Sequence, residues 1–378
     1  MAARVDQGEL PGLVAVVADG EQVWVDPIGA GWLGGEPMQR DTLFRIASIT
    51  KPMLATVAMT LVEEGRLALE EPVDRLLPEL TDRRVLRRLD GPLDDTVPAH
   101  RPITVEDLMT YRMGHGLIVE PFNPPYPIIR AADDLRLTLA QPDPRTPHPS
   151  DEWIRLFGTL PLMHQPGTGW QYNTAALVLG VLVARAADQP LADVFRTRLF
   201  DPLDMASTGF WLTDEQARRL PGFYEFNAET GKLELQPVSP PEEWTRPPAF
   251  PSGAGGLAST ADDILAFARL LLNRGRHDGS QLISEHSVEL MTSNHLTAEQ
   301  IRSGGPLLSG QGWGYGMAVS IEPDSASDVP GRYGWAGGYG TCWFTHPAQG
   351  RIGILLTQTS NVLWNGTTQE FARAVLQA

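Results

Sequence analysis

Segments typical of β-strands lie at both ends of the chain, and the stretch between them is mainly helical. Residues 12–18 and 22–25 flank an Asp-Gly pair, which predicts a β-hairpin. Further short strands are predicted at residues 315–321, 340–345 and 352–357, before a final helix over residues 368–377. The first and last strands can bury their apolar faces together only in one sheet. We therefore predict an α/β (α+β) fold in which an antiparallel sheet from both chain ends is flanked by helices.

This arrangement divides the chain into two predicted domains. Residues 1–80 and 251–378 form the sheet domain, and residues 81–250 form a mainly helical insert with long proline-rich loops. Residues 121–149 contain many prolines, and such long loops often cover a binding site. A further strand is predicted near residues 31–33, and the cleft between the domains is the expected site.

Composition narrows the classes of partner and the cellular location. The formal net charge is −16, which is unfavourable for nucleic acid or an anionic membrane. The one cysteine, Cys342, cannot form an intrachain disulfide or a cysteine-based zinc cluster. The apolar stretches are too short for a membrane span, and the N-terminus lacks the pattern of a signal peptide. A cytoplasmic protein without metal or organic cofactor is the expectation.

Lysine is almost absent from this chain. Of 30 basic residues, 28 are arginines, and the two lysines are Lys51 and Lys232. Arginine serves wherever a positive charge suffices, so a retained lysine is a candidate for proton transfer, which arginine cannot perform. Lys232 lies in a predicted turn that enters a strand, where a solvated surface charge is expected.

Ser48 and Lys51 are three residues apart at the predicted start of an apolar helix, residues 48–64. Residues at this spacing share one helix face, so the lysine lies beside the serine hydroxyl. A serine nucleophile needs such a neighbouring base. Burial can lower the pKa of Lys51 until the neutral amine is the base, or a charged Lys51 can lower the pKa of a nearby phenol that then acts as the base. Alternatively, Ser48 is only a helix cap and Lys51 a surface charge.

Several segments, in order, resemble the serine β-lactamase and penicillin-binding-protein superfamily. They are FRIASITKPMLATVAMTLVEEGRLALEEPV, DLMTYRMGHGL, QPGTGWQYNTAALVLGVLVARAADQPLADVFRTRLFDPLDMASTGF, GAGGLASTADDILAFARLLLN and YGWAGGYGTCWF. The similarity is greatest to the class C branch and the family VIII carboxylesterases. It spans roughly residues 10–375 and implies the serine β-lactamase-like (DD-peptidase) fold, with acyl chemistry on serine.

The resemblance assigns roles to the matching residues. Ser48 matches the acylated nucleophile, Lys51 the lysine beside it, and Tyr172 the tyrosine proposed as general base, its pKa lowered by Lys51. In the third motif, the matching substrate-binding residues are Trp335, Ala336 and Gly337. The backbone N–H groups of Ser48 and Gly338 would form the oxyanion hole.

Two departures from the β-lactamase pattern bear on the substrate. Thr174 occupies the place of the asparagine that holds an amide of the substrate, and Asn173 is expected to point elsewhere. Trp335 replaces the lysine or histidine that opens the third motif. A substrate carboxylate therefore loses its partner, which favours neutral esters over β-lactams.

The sequence thus predicts a serine carboxylesterase that acts on small or medium neutral esters. An amidase, a D-peptidase, a weak β-lactamase or an acyltransferase could use the same site, and a non-catalytic relative is the remaining alternative. The expected partner is a small-molecule ester or amide, with no nucleic acid and no membrane.

Overall fold

The structure is a computed structural model that describes residues 1–119, 121, 124–139, 146–227 and 229–377. Its α-helices are α1 (Ala2–Asp6), α2 (Thr50–Glu63), α3 (Val105–Met109), α4 (Pro127–Asp134), α5 (Ser150–Gly158), α6 (Thr174–Ala187), α7 (Leu191–Phe195), α8 (Asp214–Arg218), α9 (Ala261–Leu272), α10 (Glu285–Met291), α11 (Ala298–Ser303), α12 (Gly305–Leu308) and α13 (Thr367–Gln377). Its strands are β1 (Gly12–Asp19), β2 (Gln22–Gly29), β3 (Phe44–Arg45), β4 (Arg84–Leu86), β5 (Thr96–Pro98), β6 (Tyr224–Asn227), β7 (Lys232–Leu235), β8 (Ala258–Ser259), β9 (Arg276–His277), β10 (Ser280–Gln281), β11 (Gly312–Trp313), β12 (Ala318–Val319), β13 (Tyr333–Gly337), β14 (Thr341–His346) and β15 (Arg351–Leu356).

One seven-stranded antiparallel sheet joins the two ends of the chain. Its strand order is β11-β12-β13-β14-β15-β1-β2, so β1 pairs with β15 on one side and β2 on the other. Val14 and Val16 pack into the main core, whereas Leu13 packs into a second core beneath α13. One face of β1 is therefore buried and the other is largely covered, which explains its nearly continuous apolar sequence. The predicted hairpin and the predicted joint sheet are confirmed.

The interior of the main core holds α2 and α6. The residues of α2 from Thr50 to Met59 are all buried, so this helix lacks a solvent-facing stripe. A loop at Gly253 passes against both helices, where a Cβ atom would clash with the Leu54 side chain and the Ala176 carbonyl oxygen. The glycine-rich segment before α9 therefore allows close packing of the loop on the two helices.

Several predicted elements differ in the structure. The expected strand near residues 31–33 is absent, and the expected strand at 315–321 is reduced to β12 because turns surround it. Helix α4 lies inside the proline-rich segment, where only a loop was predicted. The predicted role of that segment as a lid falls partly on residues 120, 122–123 and 140–145, which lie outside the described residues. The two-domain division stays a prediction.

None of the described helices is, by itself, long and apolar enough to span a membrane. Helix α6 and the segment Leu191–Leu203 pass that criterion only as a pair, which is bent by 79°.

Candidate active site

Ser48 lies in a 3₁₀ turn, Ala47–Ile49, that connects β3 to α2. Ala47 has a φ angle of 43°, a left-handed conformation that costs energy for any residue with a side chain. The turn is held from the other side by β13, because a Cβ atom at Gly337 would overlap the Ile46 carbonyl oxygen. The seryl side chain is 9% exposed and faces a cavity of about 770 Å³.

The amine of Lys51 lies next to the serine hydroxyl. Its Nζ atom is 2.8 Å from Ser48 Oγ and 2.5 Å from the Ala254 carbonyl oxygen, to which it donates a hydrogen bond. The side chain is 1% exposed, and this burial lowers the pKa of the Lys51 ammonium well below its usual value. The amine is therefore in position, and in a suitable environment, to accept the serine proton.

Tyr172 lines the same cavity as Ser48. Trp335 Nε1 donates a hydrogen bond to Tyr172 Oη at 2.6 Å, and Lys51 Nζ is 4.6 Å from the centre of the phenol ring. Burial raises the pKa of Tyr172, although hydrogen bonding with Ser48 and Trp335 counteracts part of this effect. The sequence analysis expected Lys51 to lower the pKa of Tyr172; in the structure the net change is upward, and the groups that lower it are Ser48 and Trp335.

An aromatic cluster surrounds the phenol of Tyr172. Tyr111, Trp170 and Trp313 all have ring centres within 6.4 Å of the Tyr172 ring, and Trp335 lies perpendicular to Trp313 at 4.7 Å. These rings exclude water and account for the burial of the phenol. The sequence analysis missed the first three, since nothing in their spacing separates a site aromatic from a core aromatic.

The third-motif residues lie along β13 and just beyond its end. Trp335 and Ala336 point to opposite faces of the strand, as successive residues do. Gly338 is exposed to the cavity, and a Cβ atom there would meet nothing within 4 Å. Ser48 and Gly338 line the same cavity, so their assignment to an oxyanion hole is compatible with this arrangement and stays a prediction.

The residues after Tyr172 are arranged differently from the prediction. Asn173 lines the cavity and donates a hydrogen bond from Nδ2 to the Leu139 carbonyl oxygen. Thr174, the first residue of α6, is completely buried and is not part of the cavity wall. Asn173 was expected to point elsewhere; it contributes to the cavity lining while its amide is bonded to Leu139, and its φ angle of 83° turns the chain just before the helix begins.

The rest of the wall comes from distant segments. Phe223 and Val238 flank the β6–β7 hairpin, Leu117 and Val119 follow α3, and Pro306 and Leu307 belong to α12. Ala254, which holds Lys51, contributes only a backbone carbonyl, so no side-chain pattern could identify it. The described residues contain no group of three or more His, Cys, Asp or Glu side chains arranged to hold a metal ion.

Comparisons with known proteins identify the family of this chain. The β-lactamase family profile matches residues 1–377. The chain is 40% identical to Protein Rv1367c of Mycobacterium tuberculosis, with 93% of this chain and 87% of that protein covered. It is 31% identical to Esterase EstB of Burkholderia gladioli, with 95% and 91% covered. The solved structure of EstCE1, described as a hydrolase with promiscuous acyltransferase activity, superposes with a TM-score of 0.81 at 24% identity, covering 100% of this chain and 96% of that one. The chain belongs to the β-lactamase family.

Proposed function

We propose that this protein is a serine hydrolase that cleaves neutral carboxylic esters through an acyl-enzyme on Ser48. The observation that carries this proposal is the buried Lys51 amine, 2.8 Å from the hydroxyl of a serine that faces a large cavity. The similarity to a named esterase, EstB, supports the same class of reaction. Cytoplasmic location stays a prediction from the amino-acid sequence.

Lys51 is the general base in this proposal. The neutral amine removes the Ser48 proton as Oγ attacks the ester carbonyl carbon, and the resulting ammonium is stabilised by the Ala254 carbonyl oxygen. The N–H groups of Ser48 and Gly338 hold the negative charge that develops on the carbonyl oxygen. Lys51 thus takes the role that the sequence analysis gave to Tyr172.

Tyr172 remains a neutral phenol because burial raises its pKa. Its oxygen accepts the Trp335 N–H, and its own O–H can donate to the leaving oxygen of a bound ester. The leaving alcohol takes a proton from the Lys51–Tyr172 pair. Water then cleaves the acyl-enzyme by the reverse transfer, and an alcohol in place of water would give acyl transfer instead.

The charges around the cavity favour a neutral substrate. Trp335 presents an indole at the third-motif position where the β-lactamase pattern has a lysine or histidine to hold a substrate carboxylate. Among the described residues, Arg332 is the cationic side chain that lines the cavity, and it forms an ion pair with Asp324. A carboxylate-bearing lactam would therefore lose its hydration in this cavity without gaining a free cation.

The test compares a neutral ester with a lactam. We expect the protein to hydrolyse p-nitrophenyl butyrate much faster than nitrocefin, and Trp335→Lys to raise the nitrocefin-to-butyrate ratio of kcat/KM by about tenfold, the value of one charge-assisted hydrogen bond. Trp24→Lys, at an exposed tryptophan of β2, is the matched control and should leave the ratio unchanged. Hydrolysis of nitrocefin at the same rate as the ester, or no ester hydrolysis at all, would contradict the proposal.

The pH dependence identifies the base. The pKa of Lys51 is lowered, and only its neutral form accepts a proton, so kcat/KM should rise with pH. It should reach its plateau well below about pH 10, the value near which an ordinary lysine titrates. The raised pKa of Tyr172 keeps the phenol protonated over the same range. Tyr172→Phe should therefore lower the rate without moving the acidic limb, measured with a neutral ester. A limb that disappears in Tyr172→Phe would return the role of base to the phenol.

A further inference from the structure

The cavity continues from Ser48 to the opposite face of β13. Trp335 faces Tyr172, whereas Ala336 faces the second core, which contains Phe344 and Ala372. Gly338, beyond the end of the strand, lines the cavity together with Ser48 and Ala336. The two regions of the cavity are therefore joined around the end of β13, next to Gly338.

We call the part beneath α13 the helix groove. It is lined by Ala326, Ala336, Cys342, Phe344, Leu363 and Ala372. Four of these six residues have small side chains, and all six belong to or pack against the second core. Burial raises the pKa of the Cys342 thiol to about 12, so it is uncharged and behaves as a small apolar group at neutral pH. These six residues give the groove an apolar floor, and Thr368 and Gln369 of α13 line its more exposed side.

The far end of the helix groove is marked by a charged pair. Arg332 forms an ion pair with Asp324, and its guanidinium lies 5.8 Å from the centre of the Phe344 ring. The strand between Gly334 and Gly338 is about 13 Å long at the rise of a β-strand. The groove therefore has the length and polarity for an extended hydrocarbon chain of medium length, and the ion pair limits it.

We propose that the helix groove binds the acyl chain of the substrate, so that the protein prefers esters of medium-chain fatty acids over acetates. This proposal rests on the proposed function, because it starts from an ester carbonyl bound at Ser48 and Gly338. The leaving oxygen must face Tyr172 to receive its proton. The acyl chain, attached to the other side of the carbonyl carbon, then extends away from Tyr172, past Gly338 and into the groove.

The test measures chain-length preference in variants that fill the groove. Ala372→Leu adds bulk at a buried position of α13, and Thr368→Leu adds it at a partly exposed position that also lines the cavity. Each buried methylene is worth about fourfold in binding, so displacing two of them should lower the octanoate-to-acetate ratio of kcat/KM for p-nitrophenyl esters by about tenfold or more. Hydrolysis of the acetate, which does not reach α13, should stay near the parental rate.

Ala374→Leu is the matched control, since Ala374 lies on the exposed face of α13. It should leave the ratio unchanged. Parent enzyme that prefers acetate, or an unchanged ratio in folded Ala372→Leu and Thr368→Leu, would overturn the acyl-chain proposal. If Ala372→Leu does not fold, Thr368→Leu decides the result.

A second substrate pair separates the acyl chain from the alcohol. Methyl acetate and octyl acetate differ only in the alcohol, and Ala372→Leu should leave their relative rates unchanged. A selective loss of octyl acetate hydrolysis would assign the groove to the alcohol and overturn the proposal. Failure of the proposed function is distinct, because the parent protein would then hydrolyse none of these esters.

Discussion

Ser48→Ala should lower ester hydrolysis by about 10⁴-fold or more, since loss of a serine nucleophile removes the covalent pathway altogether. The turn that carries Ser48 is held by β13 and by the backbone of α2, so the alanine variant should retain the fold. The measurement is kcat/KM for p-nitrophenyl butyrate, together with covalent labelling by a fluorophosphonate. We expect one label per parent molecule and none on the variant.

Ser360→Ala provides the matched control, because Ser360 also lines the cavity but lies beyond β15. It should keep both labelling and activity. A Ser48→Ala protein that is still labelled, or that retains activity within tenfold of the parent, would show that another residue is the nucleophile.

Lys51→Arg should be almost as damaging as Lys51→Ala, with a loss of about 10³-fold in kcat/KM, the usual scale for a general base. Arginine keeps a positive charge but cannot accept a proton, and its planar guanidinium does not fit the space between Ser48 Oγ and the Ala254 carbonyl oxygen. The measurement is kcat/KM for both variants, with thermal unfolding recorded to confirm that each is folded.

The chain offers an unusual control for this substitution. Lys232, its other lysine, is exposed on β7, so Lys232→Arg should retain full activity. A Lys51→Arg enzyme with a near-normal rate would show that only the charge matters and would exclude Lys51 as the base.

The fold and the position of the site were accessible from sequence because both depend on local pattern and on matching motifs. The three-residue spacing of Ser48 and Lys51 predicts side chains on one face, and the structure places the two atoms 2.8 Å apart. The joint sheet followed from strand-like segments at both chain ends and is confirmed by the pairing of β1 with β15. The predicted family is confirmed as well.

The electrostatics of the site could not be predicted in the same way. The direction of the Tyr172 pKa depends on how completely the phenol is separated from water, and that depends on rings from three separate segments, those of Tyr111, Trp170 and Trp313. Likewise, Ala254 acts through a backbone carbonyl that any residue could supply. Such contributions arise only when distant parts of the chain are packed together.

The pairing of β1 with β15 has a consequence for how the protein reaches its native state. Val14 is paired with Leu356, so this pairing closes a loop that contains most of the chain. Contacts so distant in sequence carry a high entropic cost before they yield any stabilisation, which makes folding slow. A nascent chain on the ribosome would have β1 long before β14 and β15, and the turn at Ser48 would lack its support from β13. Catalytic competence therefore arises late in biosynthesis. Until β15 is synthesised, the N-terminal hairpin, whose strand β1 is apolar on both faces, is open to aggregation or chaperone binding.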